Sequence, residues 1–157
     1  MAPGSASVPP LEFLLLGTAG TGQTHTAKTG IAKVRQVFQI FDAVVTLAFS
    51  GVAAANLGSG SQTIDSVFHT NTVEAAQDLK GPALDSFVGI LRPVRLIFID
   101  EISTVGVAQF GIIAKRLQQV GRVLWRERFG GEPPENLGAF GGFPLVLMGT
   151  LHSCRQS

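Results

Sequence analysis

The sequence predicts an α/β fold in which a parallel sheet is flanked by helices. Three observations carry that expectation. Short apolar runs at residues 13–16 and 95–99 read as strands buried on both faces, the habit of parallel sheets. Between such runs lie segments with apolar residues at three- and four-residue spacing, the mark of helices with one buried side. The first run also passes through a glycine-rich turn straight into a helical pattern, and strands alternating with helices make a layered α/β domain.

A chain of 157 residues fits one ordinary domain and is long enough to bury a core. With 45% hydrophobic and only 15% charged residues, it is composed to pack and not to stay disordered. A net charge of +1 excludes a global basic field, so any nucleic-acid contact has to be a local patch. Cys154 is the sole cysteine, which excludes an internal disulfide and a cysteine zinc cluster and suits a reducing compartment. No apolar run approaches the ~20 residues that span a bilayer. Residues 1–10 lack a basic-then-apolar signal pattern, and no arginine precedes Arg35, so neither a secretory nor a transit peptide is expected. The expected location is intracellular.

Taken in order, residues 1–10 read as a flexible leader and 11–157 as one domain. Residues 13–16 form a short buried strand. From His25, the apolar Ile31, Val34, Phe38 and Phe41 recur at helical spacing, opposite Lys28, Lys33, Arg35, Gln36 and Gln39. Gly30 inside that helix costs roughly 1 kcal/mol relative to alanine. Residues 43–49, rich in β-branched side chains, make a second strand. Residues 51–62 are small and Gly/Ser-rich, and 63–68 form a short helix capped by Thr63. Residues 69–93 read as polar and irregular, bounded by Pro82 and Pro93. The apolar strand 95–99 ends in Asp100-Glu101. A stripe of Phe110, Ile113, Leu117, Val120 and Leu124 then marks a surface helix, with Lys115, Arg116, Gln118, Gln119 and Arg122 on its other side. Residues 126–142 read as a loop, and Pro144 introduces a last strand at 145–148. There is no internal repeat.

The glycine-rich turn reads Gly17-Thr18-Ala19-Gly20-Thr21-Gly22-Gln23-Thr24. Its glycines allow positive φ and let backbone N–H groups converge on phosphate oxygens at a helix N-terminus. Thr24 is placed to offer its hydroxyl to magnesium. The phosphate-loop pattern G-x-x-x-x-G-K-[ST] is met except at Gln23, where it demands lysine. A glycine-rich turn alone is equally a tight strand-to-helix connection; the strand, the helix and Thr24 together favour the phosphate loop. Asp100 and Glu101 lie at the carboxyl end of an apolar strand, where open α/β sheets bind ligands. Asp100 would hold magnesium, directly or through water, and Glu101 would polarise an attacking water. The plainer alternative is two surface carboxylates that suit the dipole of the next helix. Small residues at 48–56 would allow another backbone close, a nucleic-acid strand among the options. His25, His69 and His152 are too scattered for a metal site, and Cys154 has no pattern marking a nucleophile.

These segments, in this order, resemble the petite-integration-frequency (Pif-type) family of DNA helicases, superfamily 1 motors with relatives in Helitron transposons. Residues 17–24 match the family's G-x-A-G-T-G-K-[ST] except at Gln23. Residues 48–56 are similar to A-P-T-G-I-A-A-x-N, with Phe49 for proline and Ser50 for threonine. Residues 63–68 resemble T-I-H-S-x-F with Asp65 for histidine, and 96–105 resemble L-I-I-D-E-[IV]-S-M-V with Thr104 for methionine. Residues 140–149 look like F-G-G-x-x-[VL]-x-x-x-G, the lead-in to G-D-x-x-Q-L-P-P. That last motif then fails, with Thr150 in place of aspartate and Ser153 in place of the γ-phosphate-sensing glutamine.

The resemblance implies a RecA-like phosphate-loop domain using ATP and magnesium to move 5′ to 3′ on DNA, in repair, recombination or telomere maintenance, in nucleus or mitochondrion. It also implies two RecA-like halves, with ATP in the cleft between them and an arginine from the second. On that pattern, 11–157 is the first half, incomplete at its C-terminal edge, and is expected not to unwind DNA alone. Gln23 brings no charge to the β- and γ-phosphates, a loss that typically costs on the order of 100- to 1,000-fold in rate. Lys28, five residues and roughly 7.5 Å of helix further on, points elsewhere. Arg126 and Arg128 beside Trp125 and Phe129 could stack bases, though a solvated loop end is the plainer expectation. The alternative function is a non-catalytic, transposon-derived remnant serving as a nucleotide- or DNA-binding module. A kinase or transport motor is disfavoured by the segments at 63–68 and 140–149.

Overall fold

The computed structural model describes residues 10–17, 22–71 and 74–150. Strands β1 (Glu12–Gly17), β2 (Val44–Ala48), β3 (Gln62–Thr63), β4 (Leu96–Asp100) and β5 (Leu145–Thr150) form one sheet in the order β1-β5-β4-β2-β3. Every pairing is parallel, which requires crossovers, and helices supply them. The helices are α1 (Gln23–Phe38), α2 (Gly51–Leu57), α3 (Ile64–Phe68), α4 (Gly81–Leu91) and α5 (Val107–Phe129).

Alternation along β4 shows how the layers are built. Ile97 and Ile99 point into a core with Phe68, Phe87, Leu91, Ile113, Leu117 and Leu145, contributed by α3, α4, α5 and β5. Phe98 points the other way, into a core with Ala27 and Ile31 of α1 and Ala53, Ala54 and Leu57 of α2. Successive strand residues face opposite sides, so a central strand has to be apolar throughout to serve both cores.

Several expectations are corrected by the packing. β1 is not buried: Phe13 and Leu14 are 51% and 53% exposed. The reason is position, since β1 pairs only with β5 and its other edge is open among the described residues. Residues 51–57 are helical and not merely a small-residue connection. The Ser50 hydroxyl accepts from the Ala53 N–H at 3.2 Å, and a run of alanines favours helix once capped. Residues 81–91 are also helical. Pro82 sits at the start, where its missing N–H costs nothing, and Phe87, Val88 and Leu91 are buried. α5 runs on through Phe129 and stops where Gly130 turns left-handed at φ 70°, so the loop begins four residues later than its composition suggests. The helical register of Phe38 and Phe41 fails too: both are exposed, and Phe41 lies beyond α1.

Arg116, expected on the outer face of α5, is 4% exposed. Segment 74–79 folds across that face and is held there by polar bonds. Lys115 Nζ donates to the Ala76 carbonyl at 2.7 Å, Arg116 Nη2 to the Ala75 carbonyl at 3.3 Å, and the Leu79 N–H to Gln119 Oε1 at 3.1 Å. The Thr63 cap of α3 is as expected, its hydroxyl accepting from the Ser66 N–H at 3.2 Å.

Candidate functional site

Parallel strands bring their carboxyl ends to one side of the sheet, and the site residues are drawn from those ends. Gly17 ends β1 opposite Thr150 of β5, and Asp100 ends β4 opposite Ala48 of β2. β5 therefore lies between the glycine turn and the acidic pair. Thr18, Ala19, Gly20 and Thr21 lie outside the described residues, as do Ser153, His152 and Cys154.

The exit of the turn is described. Gly22 takes φ 79°, ψ 15°, the left-handed conformation that suits glycine, and caps α1 without a side-chain bond. Thr26 closes the first turn, its N–H at 3.0 Å and its hydroxyl at 3.2 Å from the Gly22 carbonyl. Thr24 is exposed in that turn, as a hydroxyl offered to a ligand must be.

Gln23 is committed elsewhere. Its Nε2 donates to the Gly149 carbonyl at 3.2 Å, tying the start of α1 to β5. Gly149 is itself constrained: a Cβ there would stand 3.0 Å from Ile102 Cγ2 and 3.3 Å from Leu16 Cδ2. The residue in the lysine position thus makes a structural bond to a strand position where a side chain would crowd Ile102 and Leu16.

Asp100 is half-buried, and its Oδ1 accepts the Glu101 N–H at 2.8 Å. Burial pushes its carboxyl up from the ordinary value; the Glu101 N–H opposes this and the Glu101 charge adds to it. Glu101 is exposed and held left-handed at φ 54°, a conformation that costs a non-glycine residue roughly 1–2 kcal/mol. Its carbonyl accepts from both the N–H and the hydroxyl of Thr104, at 2.9 and 2.7 Å, which holds the strained residue in place. Such strain gathers where side chains must be aimed.

The donor set fits a magnesium–nucleotide in part. A threonine hydroxyl and a carboxylate are the hard oxygen ligands that magnesium takes. The cation that would meet the phosphates is missing, and Lys28 does not replace it: it lines a groove beside Arg35 and Thr46 on the flank of α1. No cluster of three or more metal-ligating His, Cys, Asp or Glu occurs among the described residues. No described helix is long and apolar enough to cross a membrane.

Sequence reasoning missed the Gln23–Gly149 bond and the strain at Glu101, because neither leaves a pattern in composition or spacing. The residues at 125–129 form the last turn of α5. There the Trp125 and Phe129 rings pack on each other at 4.3 Å, and Arg126 pairs with Glu132 at 2.9 Å.

Comparison with known proteins adds ancestry. The AAA domain family matches residues 10–126, well over half of the chain. Among curated proteins, none matches the chain. Among solved structures, a Bacteroides Pif1 bound to single-stranded DNA superposes with a TM-score of 0.66 at 26% identity, covering 90% of this chain and 29% of that one. Bacteroides Pif1 in complex with ADP-AlF3 and single-stranded DNA gives 0.65 at 25% identity, over 92% of this chain and 29% of that one. The Pif1 helicase from Candida albicans gives 0.57 at 23% identity, over 88% and 28%, and shares the fold. The chain spans about 30% of the length of these solved relatives.

Proposed function

The chain belongs to the AAA domain family, and from that premise we propose that it is the first RecA-like portion of a Pif-type DNA helicase with a weakened nucleotide site. In this reading the amides of residues 20–24 cradle phosphates, Thr24 and Asp100 serve magnesium, and Glu101 orients the attacking water. When bound, the metal would neutralise charge on the phosphates; the chain's own groups position the reactants. The observation that carries the reading is the Gln23–Gly149 bond. It ties the start of α1 to β5 and leaves the position where the pattern demands lysine neutral.

The outer edge of β1 is open among the described residues, with Phe13 and Leu14 exposed, which suits a larger motor in which further structure covers that strand. DNA and a second RecA-like half are the partners in this reading, as the solved Pif1 relatives bind single-stranded DNA. Gln23 and Thr150 favour a second reading, a non-catalytic nucleotide- or DNA-binding module descended from such a motor. In either case the 157-residue chain alone does not unwind DNA. A strand-displacement assay on forked DNA should give no ATP-dependent product; unwinding by the purified chain would overturn the proposal.

A further inference from the structure

Away from the strand ends, α1, β2 and the connection from α2 to β3 line a half-open cavity of about 170 Å³. Its polar wall consists of Lys28, Arg35, Thr46, Ser59 and Ser61, with no carboxylate among the lining residues. We propose that this cavity binds a phosphate group, independently of the nucleotide site.

Arg35 is fixed before any ligand arrives. Its Nε donates to the Phe41 carbonyl at 3.0 Å, its Nη2 to the Val44 carbonyl at 3.4 Å, and its guanidinium lies 4.0 Å above the Phe41 ring. A guanidinium has five N–H donors, so these two bonds leave others without a protein acceptor among the described residues. Neither Arg35 nor Lys28 forms an ion pair with a described residue. Burial lowers the Arg35 pKa and the nearby Asp42 charge opposes that in second place, so an anion in the groove would add to a partial compensation.

The hydroxyl wall is equally prepared. Thr46, 2% exposed, shares a 2.8 Å hydrogen bond with Ser61, leaving one hydroxyl proton and free lone pairs between the two. Gly60 sets the two serines in place. At φ +83° its backbone presses so near that a Cβ would stand 2.9 Å from the Phe41 ring. Two cations and three hydroxyls on one small cavity make charge-assisted bonds to a tetrahedral oxyanion. The volume admits one phosphate and a few waters, at ~30 Å³ of liquid volume per water. The α1 surface continues outward through His25, Lys28 and Lys33, and no residue of α1 is acidic, so the phosphate could equally be one link of a nucleic-acid backbone.

Amide chemical shifts of the full chain, titrated with inorganic phosphate and separately with a single-stranded oligonucleotide, test the proposal. Phosphate should shift Ser59, Gly60, Ser61 and the Arg35 side-chain N–H. Lys28→Gln should weaken that response about tenfold. Ser59→Ala, at an exposed site, gives a second variant with little risk to folding. The same shifts with the oligonucleotide assign the phosphate to a nucleic-acid backbone; shifts with phosphate alone assign it to a free anion, and both support the cavity. Shifts confined to residues 17–24, or a response at 59–61 that neither variant alters, would overturn it.

Discussion

At Asp100 burial and charge pull apart. Its carboxyl sits half-buried at the end of β4 with a raised pKa, so the folded chain holds that proton more tightly than the unfolded chain does. The stability contributed is therefore full below the unfolded pKa and is lost as pH rises through the folded one. At neutral pH the charged carboxylate is a net cost to the fold. Asparagine keeps an oxygen to accept the Glu101 N–H and removes the charge. Asp100→Asn should raise the melting temperature at pH 7, with the gain shrinking as pH falls through the carboxylate range. Thermal melts from pH 3 to 8 check this, and an unchanged or lower melting temperature at pH 7 contradicts it. A site that sacrifices stability for a placed charge is common where ligands bind. The acidic pair was legible because an apolar strand ending in two acids is a pattern. The strained φ of Glu101 was not, since backbone conformation at one residue depends on what closes the turn after it, here Thr104.

At the scale of elements, close approach decides more than propensity. Gly121 of α5 and Gly141 of the loop before β5 face each other. A Cβ on Gly121 would collide with the Gly141 carbonyl oxygen, and one on Gly141 with the Leu117 carbonyl oxygen. The loop carries Phe140 and Phe143 into the core, so separating it from α5 also opens that core. Gly121→Ala should cost at least about 2 kcal/mol despite the better helix propensity of alanine. Denaturant unfolding measures this; a neutral or stabilising result would show that the loop yields without loss. The stripe of Phe110, Ile113, Leu117 and Val120 made α5 readable, and the Thr63 cap made α3 readable. Helices α2 and α4 were hidden because Gly51 opens one and Gly81-Pro82 the other. In place, Ser50 caps one and Pro82 begins the other, so the residues that resembled loop signals are helix-starting ones. The burial of Arg116 was hidden because it depends on segment 74–79, forty residues away in the chain from the helix it covers.

For the whole molecule, the sheet order explains both what the sequence conveyed and what it withheld. Apolar strands predicted a parallel sheet with helices on both faces, and β2, β4 and β5 fill that role. The same apolar signature at residues 13–16 described an edge strand, since composition reports that a strand is meant to be covered and not by what. The outer edge of β1 is open among the described residues, and the chain spans about 30% of the solved Pif1 chains. On the proposed reading, the phosphate site would be weakened by its neutral Gln23, whose side chain is tied to Gly149. Calorimetric titration of Mg-ATP into the chain and into Gln23→Lys tests this most directly. A lysine adds a charge-assisted contact to the phosphates, so the variant should bind at least about tenfold more tightly than the parent chain. Equal affinity, or no binding by either chain while both remain folded, would contradict it.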